Sequence, residues 1–142
     1  MKNQAIPRLT AKVLIPPILL FALYVQFHGD FGPGGGFQAG VIFAAAFVLY
    51  ALINGVKATQ EVVSMRTLEI GIASGVLLYA GVGVYTMLQG AEYLNYNAID
   101  PTHPVHGQHL GILLVELGVG ITVASVMATI FLVFANRARR NV

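Results

Sequence analysis

Four long apolar runs dominate this sequence and restrict what it can fold into. Short polar segments separate the runs, which are Val13–Phe27, Phe37–Ile53, Ile70–Leu88 and Leu110–Ala135. Only 10% of the 142 residues are charged, whereas about a quarter are charged in an average soluble domain. A chain with so few charges cannot cover a soluble surface. Because a helix needs about 20 apolar residues to cross a bilayer, the runs predict transmembrane helices.

The first run could instead belong to a cleaved signal peptide. No small-x-small cleavage site follows Phe27, and the next apolar run begins almost at once, so we interpret this run as a first transmembrane helix. The sequence therefore predicts an all-α integral membrane protein that forms a single domain over residues 1–142. Its four transmembrane helices are expected at approximately 9–27, 36–54, 67–88 and 108–135.

The basic residues predict the orientation of these helices. All eight precede the first apolar run, lie between the second and third runs, or follow the fourth: Lys2, Arg8, Lys12, Lys57, Arg66, Arg137, Arg139 and Arg140. Lys and Arg accumulate in the cytoplasmic loops of membrane proteins, so both termini are predicted to be cytoplasmic. The positive charge is then explained by topology in the membrane, and it needs no nucleic acid as a partner.

The segment HGDFGPGGGFQAG, residues 28–40, connects the first two apolar runs and is rich in glycine. A phosphate-binding loop would need a Lys and a Ser or Thr after its last glycine, and a dinucleotide-binding loop would need a preceding strand. Neither condition is met. The segment is therefore predicted to be a compact external hairpin that begins a closely packed helix. Its candidate packing residues are Pro33, Gly34, Gly35, Gly36, Phe37 and Gly40.

Small residues also recur four positions apart elsewhere. One row is Gly32, Gly36, Gly40 and Ala44, and the pairs Gly71 with Gly75 and Gly107 with Gly111 repeat the spacing. In lipid, such small-xxx-small rows let helix backbones approach closely. They predict close helix packing within the chain and against other proteins.

Glu116 is an isolated carboxylate inside the fourth apolar run. It lies seven residues after His109, which is close to two helical turns, so the two side chains are predicted to share a face about 10 Å apart along the axis. A carboxylate can bind Na⁺ or carry a proton, and histidine titrates near neutral pH. Glu116 and His109 are thus candidates for an ion path. The alternative is that Glu116 only hydrogen-bonds a neighbouring helix and stabilises assembly.

The external segment before helix four contains His103, His106 and His109. Their spacing suggests a metal site, but the first two are predicted to lie in a loop interrupted by Pro104, and a structural metal needs preorganised ligands. No metal or cofactor is therefore expected. The sequence also contains no Ser/His/Asp or Cys/His set and no cofactor motif, which predicts a protein that is not an enzyme.

The segment PGGGFQAGVIFAAAFVLYAL, with the preceding HGD, resembles the MnhB family, the B subunits of Mrp-type multisubunit Na⁺/H⁺ antiporters. The segment GILLVELGVGITVASVM in helix four agrees with it, so the resemblance covers nearly the whole chain. Ala39 is a departure, since many members are expected to have glycine there.

The resemblance implies a non-catalytic subunit in the cell membrane of a prokaryote, embedded in the lipid bilayer. It implies other Mrp subunits as partners, especially the large A and D subunits, and transported Na⁺ and H⁺ in place of a bound cofactor. Two alternatives stay open: a membrane subunit of a hydrogenase-like redox-driven complex, or an autonomous small channel formed by a homo-oligomer.

Overall fold

A computed structural model describes residues 5–30 and 32–140. Within these ranges the chain forms five α-helices: α1 (Ala5–His28), α2 (Gly36–Asn54), α3 (Val56–Val62), α4 (Met65–Leu88) and α5 (Pro104–Arg140). A single 3₁₀ turn, Tyr96–Ala98, precedes α5. Helices α1, α2, α4 and α5 are each long and apolar enough to cross a membrane. The predicted class, an all-α membrane protein with four transmembrane helices, is confirmed.

The helix boundaries differ from those predicted, except in α2. The fourth predicted helix, 108–135, corresponds to α5, which begins at Pro104 and extends to Arg140. Proline suits the first turn of a helix, because its missing N–H would be unpaired there anyway. The polar end of α5 is rich in Arg and Ala, which are good helix formers. The short helix α3 was not predicted, because the segment carries too few apolar residues to stand out.

The first and third predicted helices were also too short. The predicted range 9–27 corresponds to Ala5–His28, in which Pro16 and Pro17 lie inside a continuous helix. The predicted range 67–88 corresponds to Met65–Leu88. Its N-terminus is capped by Ser64, whose hydroxyl oxygen accepts a hydrogen bond from the backbone N–H of Thr67 at 3.1 Å, satisfying one of the free donors at the helix start.

Helix α5 lies at the centre of the bundle. It packs most extensively against α4 and α2, and α1 packs mainly against α2. The helices therefore follow one another in space in the order α1, α2, α5, α4. Many large apolar side chains on the outer helices remain exposed, such as Leu20 at 67% and Leu77 at 70%, as expected for surfaces that lipid or other subunits cover.

The glycine rows of α2 and α4 both pack against α5, as predicted. A Cβ atom added to Gly40 would lie 2.7 Å from the backbone oxygen of Gly120, and one added to Gly75 would lie 2.6 Å from that of Gly118. The row of Gly107 and Gly111 packs instead against Tyr96 in the preceding segment. All three rows are thus used inside this chain, while their packing against other proteins stays a prediction.

The basic residues Arg8 and Lys57 line one cavity together with residues from the ends of α2 and α5. They therefore lie at the same end of the bundle, opposite the α1–α2 hairpin. Lys2 lies outside the described residues. Which end faces the cytoplasm stays a prediction from the charge distribution.

Candidate functional site

The hairpin between α1 and α2 folds back onto the last turns of α1. The backbone N–H of Gly35 donates to the carbonyl oxygen of Val25 at 3.1 Å, and that of Gly32 donates to His28 at 3.1 Å. Gly35 has a φ of 117°, a conformation that favours glycine. A Cβ atom at Gly34 would lie 2.7 Å from the oxygen of Val25. Glycine is therefore needed here both for backbone conformation and for close approach.

The Glu116 side chain projects from α5 into this hairpin. A Cβ atom at Gly29 would overlap both carboxylate oxygens of Glu116, and one at Gly35 would lie 3.0 Å from Oε1. A Cβ atom at Gly36 would overlap the backbone oxygen of Glu116. The hairpin glycines thus form a cradle that admits the carboxylate and the α5 backbone, and any larger residue would fill it.

His109 lies closer than Glu116 to the N-terminal end of α5, and it contacts the same hairpin. Its Nδ1 atom forms a hydrogen bond with Oδ2 of Asp30. The side chain of Asp30 is 16% exposed and that of His109 is 50% exposed, so the pair lies between solvent and the helix interior. The predicted common face of His109 and Glu116 is the face that α5 turns toward the hairpin.

A cavity of about 320 Å³ opens beside this pair. It is lined by Asp30, His106 and His109 together with apolar side chains from α1 and α5. The cavity opens onto the His109–Asp30 pair, which contacts the same hairpin as Glu116.

Asp100 organises the start of α5 and its histidines. One carboxylate oxygen accepts backbone N–H groups from Thr102 at 3.2 Å and His103 at 3.1 Å, and the other pairs with Nδ1 of His106 at 3.1 Å. The hydrogen bond from the Thr102 hydroxyl, followed by that from His106, lowers the pKa of Asp100 to about 2. Asp100 is therefore ionised throughout the physiological range and supplies fixed negative charge beside His106.

His106 lies in α5 rather than in a loop, which corrects the prediction. Within 5–30 and 32–140, no group of three or more His, Cys, Asp or Glu side chains could hold a metal ion. The histidines instead pair with carboxylates, His106 with Asp100 and His109 with Asp30.

The structure thus brings Glu116 and His109 to the predicted hairpin, where Gly34, Gly35, Gly36 and Gly40 make close contacts. Pro33 and Phe37 were also predicted to pack in the hairpin, but both side chains are exposed, and Phe37 is 61% accessible. Sequence reasoning missed Asp30, which pairs with His109, and Gln26, a buried polar residue of α1. One feature of the sequence could have indicated Asp30, namely its place in the HGD triplet next to the glycines.

Comparison with known proteins gives a consistent result. A family model described as a domain related to the MnhB subunit of Na⁺/H⁺ antiporters matches residues 6–129. Two relatives, from Staphylococcus aureus (strain Newman) and Staphylococcus haemolyticus (strain JCSC1435), are provisionally named antiporter subunit mnhB2. Each is 32% identical over 133 residues, which cover 92% of this chain and 94% of the relative.

Proposed function

Because this chain belongs to the MnhB family of Na⁺/H⁺ antiporter subunits, we propose that it serves a multisubunit antiporter in two ways. It supports assembly of the complex through its glycine hairpin, and it contributes Glu116 and His109 to the ion path. It is a transport component with no chemistry of its own. The names of its relatives favour this role over a hydrogenase-like complex.

The observation that supports a role in the ion path is the position of the Glu116 carboxylate. It lies inside a membrane-spanning helix, and its oxygens approach the glycines of the hairpin. No ion pair to Lys or Arg is found for it in the part of the chain that the structure describes. A carboxylate in such surroundings is costly and is usually functional.

The geometry supports a stepwise route for protons. In this proposal, water enters the cavity beside His109 and Asp30, and Glu116 lies about two helical turns farther along α5. Each group can accept a proton from one side and release it to the other without any net chemical change. The route would continue in neighbouring subunits, and Na⁺-dependent proton exchange by a complex that carries Glu116→Gln tests it.

We further propose that the partners include the large A and D subunits of the antiporter. Many large apolar side chains of α1 and α4 are exposed. Such a surface supports contact with other membrane proteins. The chain should be tagged, expressed with its operon and purified in mild detergent, and the mass and subunit composition of the product should be determined. We expect a large complex that contains the A and D subunits.

Other compositions would contradict this proposal in different ways. Hydrogenase or iron–sulfur subunits in the product would support a redox-driven complex instead. Recovery of the chain alone or as a small homo-oligomer would mean that any transport must come from this chain. An untagged strain processed in parallel controls for subunits that bind the resin.

We also propose that both termini face the cytoplasm of the bacterial cell. The chain has no cysteine, so single cysteines can be introduced for labelling. We expect a membrane-impermeant thiol reagent to label Glu92→Cys in intact cells, and to label Lys57→Cys only after the membrane is opened. Both positions are exposed in the structure. The reverse pattern would invert the topology and contradict the prediction from charge.

A further inference from the structure

Gln26 is a polar residue buried within the membrane-spanning part of α1. Only 4% of its surface is exposed, and its Nε2 atom is buried with no hydrogen-bond partner among the described residues. Native proteins rarely leave a buried N–H donor unpaired, because its desolvation is then uncompensated. The side chain thus points to a hydrogen-bond acceptor that residues 5–30 and 32–140 do not provide.

The amide of Gln26 lies against Gly120 of α5, close to the start of α2. A Cβ atom at Gly120 would lie 2.5 Å from Oε1 of Gln26 and 3.3 Å from the backbone oxygen of Gly36. Gly120 follows Glu116 by about one turn of α5. Gln26 therefore borders the glycine cradle on the side away from His109.

Helix α2 adds further donors to this region. It begins at Gly36, and its N-cap residue, Gly35, makes no side-chain cap hydrogen bond. The backbone N–H of Ala39 is the one that bonds to Gly35, so the N–H groups before it have no partner in the helix. They also carry the positive end of the helix dipole. The carboxylate of Glu116 packs against this same end.

We propose that ordered water occupies this region and links the Nε2 atom of Gln26 and the first turn of α2 to the Glu116 carboxylate. Buried waters typically make about three hydrogen bonds to groups of this kind. The inference rests on the proposed role of Glu116 in the ion path and specifies it: the site passes protons and does not bind Na⁺.

The preference for protons follows from the groups that surround the carboxylate. Side-chain oxygens of Gln26 and Gln38 border the cradle, so oxygen ligands of the kind that hold Na⁺ are present. The positive end of α2 and its first N–H groups lie there as well. These groups repel a cation but orient water toward the carboxylate. Water can then deliver a proton to Glu116, which becomes neutral and returns to its charged form when the proton leaves.

The test is Gln26→Leu in the complete complex, which removes the donor and keeps a similar volume. We expect the maximum rate of Na⁺-dependent proton exchange to fall at least about tenfold, while the Na⁺ concentration for half-maximal rate and the complex yield stay unchanged. Gln89→Leu is the matched control, since Gln89 is exposed at the end of α4. It should retain the normal rate.

Two results would overturn the inference. A normal maximum rate for Gln26→Leu would mean that the donor is not used, and a raised half-maximal Na⁺ concentration would mean that the site holds Na⁺. If Glu116→Gln impairs exchange while Gln26→Leu does not, only this inference fails. If Glu116→Gln itself has no effect, the proposed ion path fails.

A second measurement applies if Gln26→Leu does not assemble. The native complex should then be determined at a resolution that shows ordered water. Density for water within hydrogen-bond distance of Gln26 Nε2 and connected to Glu116 is the expected result. A side chain of another subunit that accepts the hydrogen bond of Gln26 would contradict it.

Discussion

Replacing Glu116 with Gln is expected to lower Na⁺-dependent proton exchange at least about tenfold, which corresponds to ~1.4 kcal/mol in the activation free energy. Glutamine has nearly the same size and still accepts hydrogen bonds in the glycine cradle, but it cannot take up and release a proton. Packing between α5 and the hairpin should therefore persist while transfer fails. The measurement is the pH change that added Na⁺ produces in everted membrane vesicles, normalised to complex yield.

Glu92→Gln is a suitable control for this experiment. Glu92 is exposed in the segment between α4 and α5, so the same chemical change there should leave exchange unaltered. If the Glu116→Gln complex assembles normally and exchanges at the native rate, the carboxylate has no role in the path. A loss of yield with normal exchange per complex would favour the alternative in which Glu116 stabilises assembly.

Replacing Gly36 with Val is expected to prevent formation of a stable subunit. A Cβ atom at this position would overlap the backbone oxygen of Glu116 and lie 2.8 Å from its carbonyl carbon. Because both are backbone atoms, no side-chain rotation can relieve the overlap, and α2 must separate from α5. Overpacking usually costs about 1–3 kcal/mol, and we expect at least about 3 kcal/mol here. Thermal unfolding in detergent and the yield of the complex would report the loss.

Gly81→Val provides the matched comparison for Gly36→Val. Gly81 also lies inside a spanning helix, and a Cβ atom there would meet nothing within 4 Å. The two variants add the same side chain but differ in the contacts that it meets. Equal stability of both would show that α2 and α5 are not packed as closely as the structure indicates.

The sequence was sufficient to predict features that depend on local periodicity. The four-residue spacing of Gly36 and Gly40 indicated a close helix contact, and the seven-residue spacing of His109 and Glu116 placed them on one face. Asp30 could not be assigned as the partner of His109, because the two are 79 residues apart. Only the reversal at the hairpin, together with the packing of α2 on α5, brings them into contact.

Gln26 shows a different limit of sequence reasoning. A single amide in an apolar run does not interrupt the helix, so its type predicts neither burial nor a missing partner. Its burial depends on the absence of a side chain at Gly120, which lets the amide approach the backbone of α5. The extent of α5 was underestimated for a related reason, because charged residues such as Arg137 suggest a loop although they favour a helix.

The length of α5 has a mechanical consequence. Its 37 residues correspond to roughly 55 Å at 1.5 Å per residue, whereas the hydrocarbon layer of a bilayer is about 30 Å thick. The helix must therefore tilt strongly or project beyond the lipid, and its polar end at Arg137 favours projection. No proline follows Pro104 to bend the helix, so α5 is one continuous helix over its whole length. A shift of the helix at Glu116 would then be transmitted to its far end, outside the membrane.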